Sequence, residues 1–330
     1  RRRGLALGYA VMAAGAAGAA AATALASFPL LVVALAVFGF GASADSLSRY
    51  AAADVHLPER RSAAIATVVW AGTIGSVVGP ILLAPAEGLG RAVGVDPLAG
   101  SYMVAAALAA LALVVMALLL RPDPMQFAPA VIPAVRGDQL RRTVVVRTAV
   151  VSLAVGQAVM VLIMVMTPIH VRDHGHDLGT VGVIIAAHTF GMFAMSPITG
   201  FVADRVGRLP VILAGHGVLA LAAALAAIAD EASVATLTVA LFLLGLGWNF
   251  SFVAGSALLT EGAPPGSRVR LQGYGDAVVW TAGAVAGLSS GLLLEAGSYA
   301  ILCIVAGLLT IVPVAVTAGL RRPAAVTADS

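Results

Sequence analysis

The sequence contains ten apolar runs, each long enough to cross a bilayer as a helix. Such a helix needs about 20 largely apolar residues, because each residue adds about 1.5 Å across roughly 30 Å of hydrocarbon. The runs lack the period-two alternation of membrane β-strands. We therefore predict an all-α polytopic membrane protein, whose backbone polar groups are satisfied within its helices. In chain order the runs are residues 5–27, 29–48, 62–84, 101–120, 144–168, 180–199, 210–229, 234–259, 277–294 and 299–320.

The composition excludes a soluble or disordered chain. Of 330 residues, 60% are hydrophobic and only 11% are charged, whereas a soluble domain carries roughly 25% charged residues. The single cysteine, Cys303, rules out an intramolecular disulfide.

The arginines predict the orientation of the spans. All 19 basic residues are arginine, and with a cytoplasmic N-terminus only Arg91 and Arg172 lie on the opposite side of the membrane. This is a strong positive-inside bias. We therefore expect a multi-pass protein of the cytoplasmic membrane with both termini in the cytoplasm.

The longest polar connection, residues 121–143, divides four runs from six. We predict a partial N-terminal helical half at 1–120, a cytoplasmic linker at 121–143 and a C-terminal six-helix half at 144–330. A simple interhelical loop is the alternative reading of 121–143.

Two short repeats indicate duplicated halves. Residues 68–70 and 278–280 both read Val-Val-Trp, and Phe-Gly-Phe-Gly at 38–41 resembles Leu-Gly-Leu-Gly at 244–247. Every third run is also poor in polar residues, a period of three within a period of six. Because halves of six helices leave the first half two short, we expect two helices to precede Arg1. We also expect the 330-residue chain alone not to transport.

The connection at residues 200–208 reads Gly-Phe-Val-Ala-Asp-Arg-Val-Gly-Arg. It resembles the G-x-x-x-D-R-x-G-R signature of the major facilitator superfamily, which implies a bundle of two helical halves. The matching residues are Gly200, Asp204, Arg205, Gly207 and Arg208. Gly200 allows close helix approach, Asp204 suits a helix N-terminus, and both arginines can pair with Asp204. Leu209 and Pro210 depart from the usual further basic residue.

A second stretch is similar to the core of the family's antiporter signature and contains Gly75, Gly79 and Pro80. The paired glycines that normally follow are absent, so helix packing without exchange is an equal alternative. Leu35 occupies the position of an arginine associated with proton-coupled drug efflux. That substitution weakens an assignment to proton/drug antiport. Arg1, Arg2 and Arg3 resemble the tail of a first-half copy of the loop signature, and an ordinary cytoplasmic anchor is the alternative.

Seven side chains inside the runs are candidate cavity or coupling residues, because strong polar groups in a membrane usually face a bundle interior or an aqueous cavity. Each also has a structural interpretation, as a local ion pair, an interfacial acid or a packing residue. They are Asp45, Arg49, Gln157, His188, Trp248, Asn249 and Asp276.

The resemblance implies a secondary active transporter working by alternating access on a small organic solute or drug. Proton coupling is expected, with efflux preferred over uptake. The alternative is a non-transporting receptor or scaffold on the same fold. We expect lipid, a small-molecule substrate and protons as partners, a monomer, and no nucleic acid, cofactor or enzyme activity. We interpret the histidines of the loop after the fifth run (His170, His174 and His176) as solvated rather than metal-binding.

Overall fold

The computed structural model describes residues 1–127, 136–229 and 233–320, and these are almost entirely helical. Short 3₁₀ segments lie at Pro58–Arg60, Pro124–Phe127 and Pro265–Ser267. The helices are α1 (Arg2–Ala24), α2 (Phe28–Asp54), α3 (Arg61–Ala92), α4 (Pro97–Leu119), α5 (Arg136–Asp173), α6 (Leu178–Phe193), α7 (Ser196–Val206), α8 (Arg208–Ala227), α9 (Val234–Gly262), α10 (Arg268–Ala296), α11 (Tyr299–Leu309) and α12 (Ile311–Leu320).

Within the described ranges, these helices provide ten segments long and apolar enough to cross a membrane. The pair α6 and α7 belongs to one such segment, and α11 and α12 belong to another. The prediction of an all-α chain with ten spans is confirmed. Several helices extend past the predicted runs; α2, for example, continues to Asp54. Hydropathy detects only the apolar part of a helix, whereas the backbone continues into polar sequence.

Acidic side chains begin two of the helices. The Asp96 carboxylate accepts a hydrogen bond from the backbone N–H of Leu98 at the start of α4 (2.8 Å). Asp177 accepts one from the N–H of Thr180 at the start of α6 (2.8 Å). Both bonds satisfy donors that a helix N-terminus leaves without a partner. The bond from Thr180 also holds the pKa of the Asp177 carboxyl below its usual value.

The chain divides into two compact units. Unit 1 comprises Arg1–Leu57 and Ala71–Ala130, and unit 2 comprises Pro58–Trp70 and Val131–Ser330. The first residues of α3 therefore belong to unit 2. The predicted halves at 1–120 and 144–330, with a linker at 121–143, stay a prediction.

In unit 1, α1 packs against α2 and α4. A buried ion pair joins the Arg1 guanidinium to Asp54 at the end of α2 (2.8 Å). In unit 2, the core lies among α5, α6, α8, α9, α10 and α11, and includes the fully buried residues Ile163, Leu219, Leu241 and Leu302.

The sequence repeat has a packing counterpart within each unit. A Cβ added to Gly41 of α2 would lie 2.8 Å from the carbonyl oxygen of Gly8 on α1. A Cβ added to Gly247 of α9 would lie 2.8 Å from the carbonyl oxygen of Gly215 on α8. Each glycine thus allows its helix to touch the backbone of the preceding one. The second glycine of each Gly-x-Gly therefore makes a corresponding helix contact in the two units.

We expect Gly41→Ala to lower the free energy of unfolding by about 1–3 kcal/mol, because the new methyl group would overlap the α1 backbone. Gly39→Ala is the matched control on the same helix, since a Cβ there meets no atom within 4 Å. It should be neutral or stabilising by up to about 1 kcal/mol, because alanine favours the helix. Thermal unfolding in detergent measures both. Equal effects of the two substitutions would contradict the packing argument.

Candidate functional site

At one end of unit 2, the carboxylate of Asp204 binds the first turn of α3. Its two oxygens accept hydrogen bonds from the backbone N–H groups of Ser62 (3.1 Å) and Ala63 (2.9 Å). A helix N-terminus carries such unpaired donors and a partial positive charge, so a carboxylate is a favourable partner. The sequence prediction for Asp204 named a helix N-terminus but not which helix.

Gly200 makes this contact sterically possible. It lies one turn before Asp204 on α7, and a Cβ there would stand 2.7 Å from the Ser62 carbonyl oxygen and 2.9 Å from the Ala63 Cα. Any larger residue would push the two helices apart and lengthen the Asp204 bonds.

Arg208 links the contact to a second acid. Its guanidinium lies 3.1 Å from Asp204 and 2.8 Å from Glu261 at the end of α9, and it also donates to the Pro58 carbonyl oxygen. These side chains are largely but not fully buried, with exposed fractions of 12% for Arg208, 10% for Asp204 and 28% for Glu261. We call Gly200, Asp204, Arg208, Glu261 and the N–H groups of Ser62 and Ala63 the Asp204 latch.

The other two signature residues have different roles. Gly207 connects α7 to α8 with φ of 94° and ψ of 160°, a conformation that side-chain-bearing residues rarely adopt. The guanidinium of Arg205 lies over the ring of Phe201, 4.2 Å from its centre, a cation–π arrangement. Of the two signature arginines, Arg208 is therefore the one that pairs with Asp204 in the described residues.

Farther into unit 2, Trp248 and Gln157 pair across α9 and α5. The indole N–H of Trp248 donates to the Gln157 side-chain oxygen (2.8 Å), and both side chains are buried. The Trp248 ring stacks on Phe252 with centres 4.3 Å apart, and Phe193 approaches it edge-on. The amide nitrogen of Gln157 also lies close to Gly283 of α10, 3.3 Å from the position of a Cβ there.

The neighbouring Asn249 reaches the junction between α6 and α7. Its amide nitrogen donates to the Met192 carbonyl oxygen and to the Ser196 hydroxyl, both at 2.6 Å. Its amide oxygen accepts from the Thr199 hydroxyl at 2.5 Å. Asn249 is completely buried, so all three bonds are shielded from water.

Two further candidates of unit 2 are also buried. A ring nitrogen of His188 (Nδ1) lies 2.9 Å from the Leu241 carbonyl oxygen and joins α6 to α9. Asp276 of α10 is 4% exposed. One turn before Asp276, the Gln272 amide donates to the Thr260 hydroxyl (3.0 Å) and joins α10 to α9.

The unit 1 candidates are described only in part. The Asp45 side chain lies outside the described residues, so its pairing with Arg49 stays a prediction. Arg49 is buried, donates to the Ser46 carbonyl oxygen and to the Tyr50 hydroxyl, and lies over the Tyr50 ring.

The antiporter-like stretch lies within α3. A Cβ at Gly75 or Gly79 would meet no atom within 4 Å, and the Pro80 side chain lies outside the described residues. Neither glycine is explained by a helix contact in the described part of unit 1.

The structure adds a cavity that the sequence did not reveal. A cavity of about 730 Å³ lies between α5, α10 and α11 and is lined almost entirely by apolar and small side chains. Its polar lining groups are Tyr274, Thr281 and Ser289, all on α10. Thr281 and Ser289 occur in a run that reads simply as an apolar helix, and Tyr274 lies just before that run, so no sequence signal distinguishes them.

The histidine-containing loop borders a second cavity of about 370 Å³, which His170, Asp173 and His174 line with Tyr299 of α11. The His170 ring stacks on Tyr299 at 4.2 Å. In the described parts of the chain, no three His, Cys, Asp or Glu residues are placed to hold a metal ion.

Comparisons with known proteins agree on one family. Residues 148–329 match the family model described as Major Facilitator Superfamily. An uncharacterized MFS-type transporter of Bacillus subtilis (strain 168), YdeG, is 35% identical over 96% of this chain and 76% of its own length. The riboflavin transporter RfnT of Brucella anthropi is 30% identical over 91% of this chain and 74% of its own length.

Among solved structures, the transporter FucP in its outward conformation aligns with a TM-score of 0.74 at 13% identity. The alignment covers 98% of this chain and 83% of FucP. At this identity the likeness supports the fold alone, and the fold is that of the superfamily.

We expect Trp248 and Gln157 to be energetically coupled. In a double-mutant cycle of Trp248→Phe and Gln157→Leu, the hydrogen bond should appear as a coupling of about 1 kcal/mol in the free energy of unfolding. A cycle of Gln157→Leu with Trp70→Phe is the control, since Trp70 is a half-exposed tryptophan on another helix. Equal coupling in the two cycles would contradict the assignment.

Proposed function

Because the chain belongs to the major facilitator superfamily, we propose that it is a secondary active transporter for a small organic solute. It would work in the cytoplasmic membrane by alternating access, with both termini in the cytoplasm, as a monomer. Efflux and proton coupling are part of the proposal. The partial antiporter signature at Gly75, Gly79 and Pro80 favours export.

The Asp204 latch is the observation that carries the proposal. It joins α7 to α3 through charge-assisted bonds from backbone N–H groups to a largely buried carboxylate, which Arg208 links to Glu261. A contact of this kind can form in one access state and break in the other.

The cavity on α10 supports the choice of substrate class. Its volume of about 730 Å³ lies in the range of small-molecule sites, which are mostly apolar with a few polar groups. An apolar wall with the hydroxyls of Tyr274, Thr281 and Ser289 suits an organic solute with a largely apolar surface. The name of the 30% identical relative makes riboflavin the first compound to test, followed by drug-like aromatic compounds.

The coupling residues remain candidates from the sequence. His188 and Asp276 are buried titratable groups in spans of unit 2, and Asp45 with Arg49 is the corresponding set in unit 1. The side chains of Gln157, Trp248 and Asn249 are hydrogen-bonded to other residues of unit 2, and they stay candidates from the sequence.

We expect the protein, reconstituted with any residues that its gene encodes before Arg1, to move riboflavin or a drug-like solute in proteoliposomes, with a flux that collapses when the pH gradient is dissipated. Flux is compared for the 330-residue chain and for this chain with any residues that its gene encodes before Arg1. Equal flux with and without an ion gradient would contradict proton coupling. Solute binding without flux in either form would favour the receptor or scaffold alternative. Flux by the 330 residues alone would contradict the expectation that this chain by itself does not transport.

We expect Tyr274→Ala to raise the KM for the transported solute about tenfold, because a bound ligand would lose an aromatic contact worth about 1.4 kcal/mol. Trp280→Ala is the control, since Trp280 is an exposed aromatic residue of the same helix that does not line the cavity. Concentration-dependent flux measures both. A KM that rises equally in the two variants would exclude the cavity as the binding site.

A further inference from the structure

The span that carries the signature aspartate is a broken helix. α6 ends at Phe193, and α7 begins at Ser196 with Pro197 in its first turn. Proline has no backbone N–H, so it cannot bond the carbonyl four residues earlier. Backbone groups at this junction therefore need other partners, because water is scarce inside an apolar span.

Asn249 reaches this junction from α9 and bonds one backbone group, the Met192 carbonyl oxygen, while its other two bonds are to side-chain hydroxyls. It binds the last turn of α6 through the Met192 carbonyl, and the first turns of α7 through Ser196 and Thr199. One buried side chain thus holds both sides of the break. With its two N–H donors and its oxygen all bonded, Asn249 fixes the angle between α6 and α7.

The short helix α7 has 11 residues. Its first residues bond Asn249, and the latch residues Gly200 and Asp204 lie farther along it. Thr199 is adjacent to Gly200 and is five residues from Asp204, about 8 Å along the helix axis. A change of angle at the break would move Asp204 and Gly200 together relative to the first turn of α3. The two Asp204 bonds and the close Gly200 contact both require a defined position of α7.

We propose that Asn249 is a positioning residue of the Asp204 latch. It acts through α7, holding Asp204 against the N–H groups of Ser62 and Ala63, and does not itself touch α3 in this role. This inference deepens the proposed function, in which the latch opens and closes during alternating access. Loss of Asn249 would favour the open latch without removing any latch residue.

The test measures opening of the latch directly, without any transported solute. Ser62 is completely buried, and its backbone N–H is kept in Ser62→Cys. This variant is made in a Cys303→Ala background and treated with a small maleimide in membrane vesicles. Asp204→Asn, which removes the negative charge of Asp204, is the reference for an opened contact.

We expect Asn249→Ala to raise the labelling rate of the introduced cysteine at least about threefold, as Asp204→Asn does. In the double variant the labelling rate should equal that of Asp204→Asn alone, because both changes act on one contact. Ser251→Ala is the matched control: Ser251 is equally buried on the same helix, and its hydroxyl has no hydrogen-bond partner among the described residues. It should leave the labelling rate unchanged.

Thr199→Val provides a second variant if Asn249→Ala does not fold. It keeps the shape of threonine but removes the bond to the Asn249 oxygen, so a smaller increase in labelling is expected. Wild-type labelling rates in all folded Asn249 and Thr199 variants would overturn the proposal. So would an effect of Asn249→Ala that adds fully to that of Asp204→Asn. Absence of flux in the transport assay would leave these results unchanged, so the two failures are distinguishable.

Discussion

Backbone N–H and carbonyl groups inside an apolar span must find their partners within the protein, and this requirement places the main polar residues of unit 2. At two such places in unit 2, a side chain bonds to exposed backbone groups. Asp204 binds the first turn of α3, and Asn249 binds the junction of α6 and α7. The residues proposed to control access thus also complete the backbone hydrogen bonding of the helices.

The packing of the helices also depends on close approach of their backbones. Gly200 brings α7 against α3, and Gly247 brings α9 against α8. Such contacts resemble those expected where helices associate in lipid, since packing replaces the hydrophobic effect between helices. They leave little room for a side chain, so small shifts of a helix change several contacts together.

The sequence predicted the parts of the fold that depend on local pattern. Run lengths predicted the ten spans, and the spacing of Gly200, Asp204 and Arg208 predicted a polar turn near a helix start. The sequence could not predict that Arg208 pairs with Glu261, because Glu261 lies 53 residues after Arg208 and no local pattern joins them. Asn249 was identified as polar and interior, but its bonds depend on a break at Pro197 that hydropathy does not detect. The hydroxyls on α10 likewise line a cavity only because three helices pack together.

The position of Trp248 gives the molecule a built-in optical reporter. Trp248 directly precedes Asn249 on α9. Its indole is buried and contacts the ring of Phe193, the last residue of α6. The other two tryptophans, Trp70 and Trp280, are about half exposed, and so they emit from different surroundings. Any change of angle at the junction would alter the rings around Trp248 and the bond to Gln157. Its fluorescence would therefore follow the state of the junction without an attached dye.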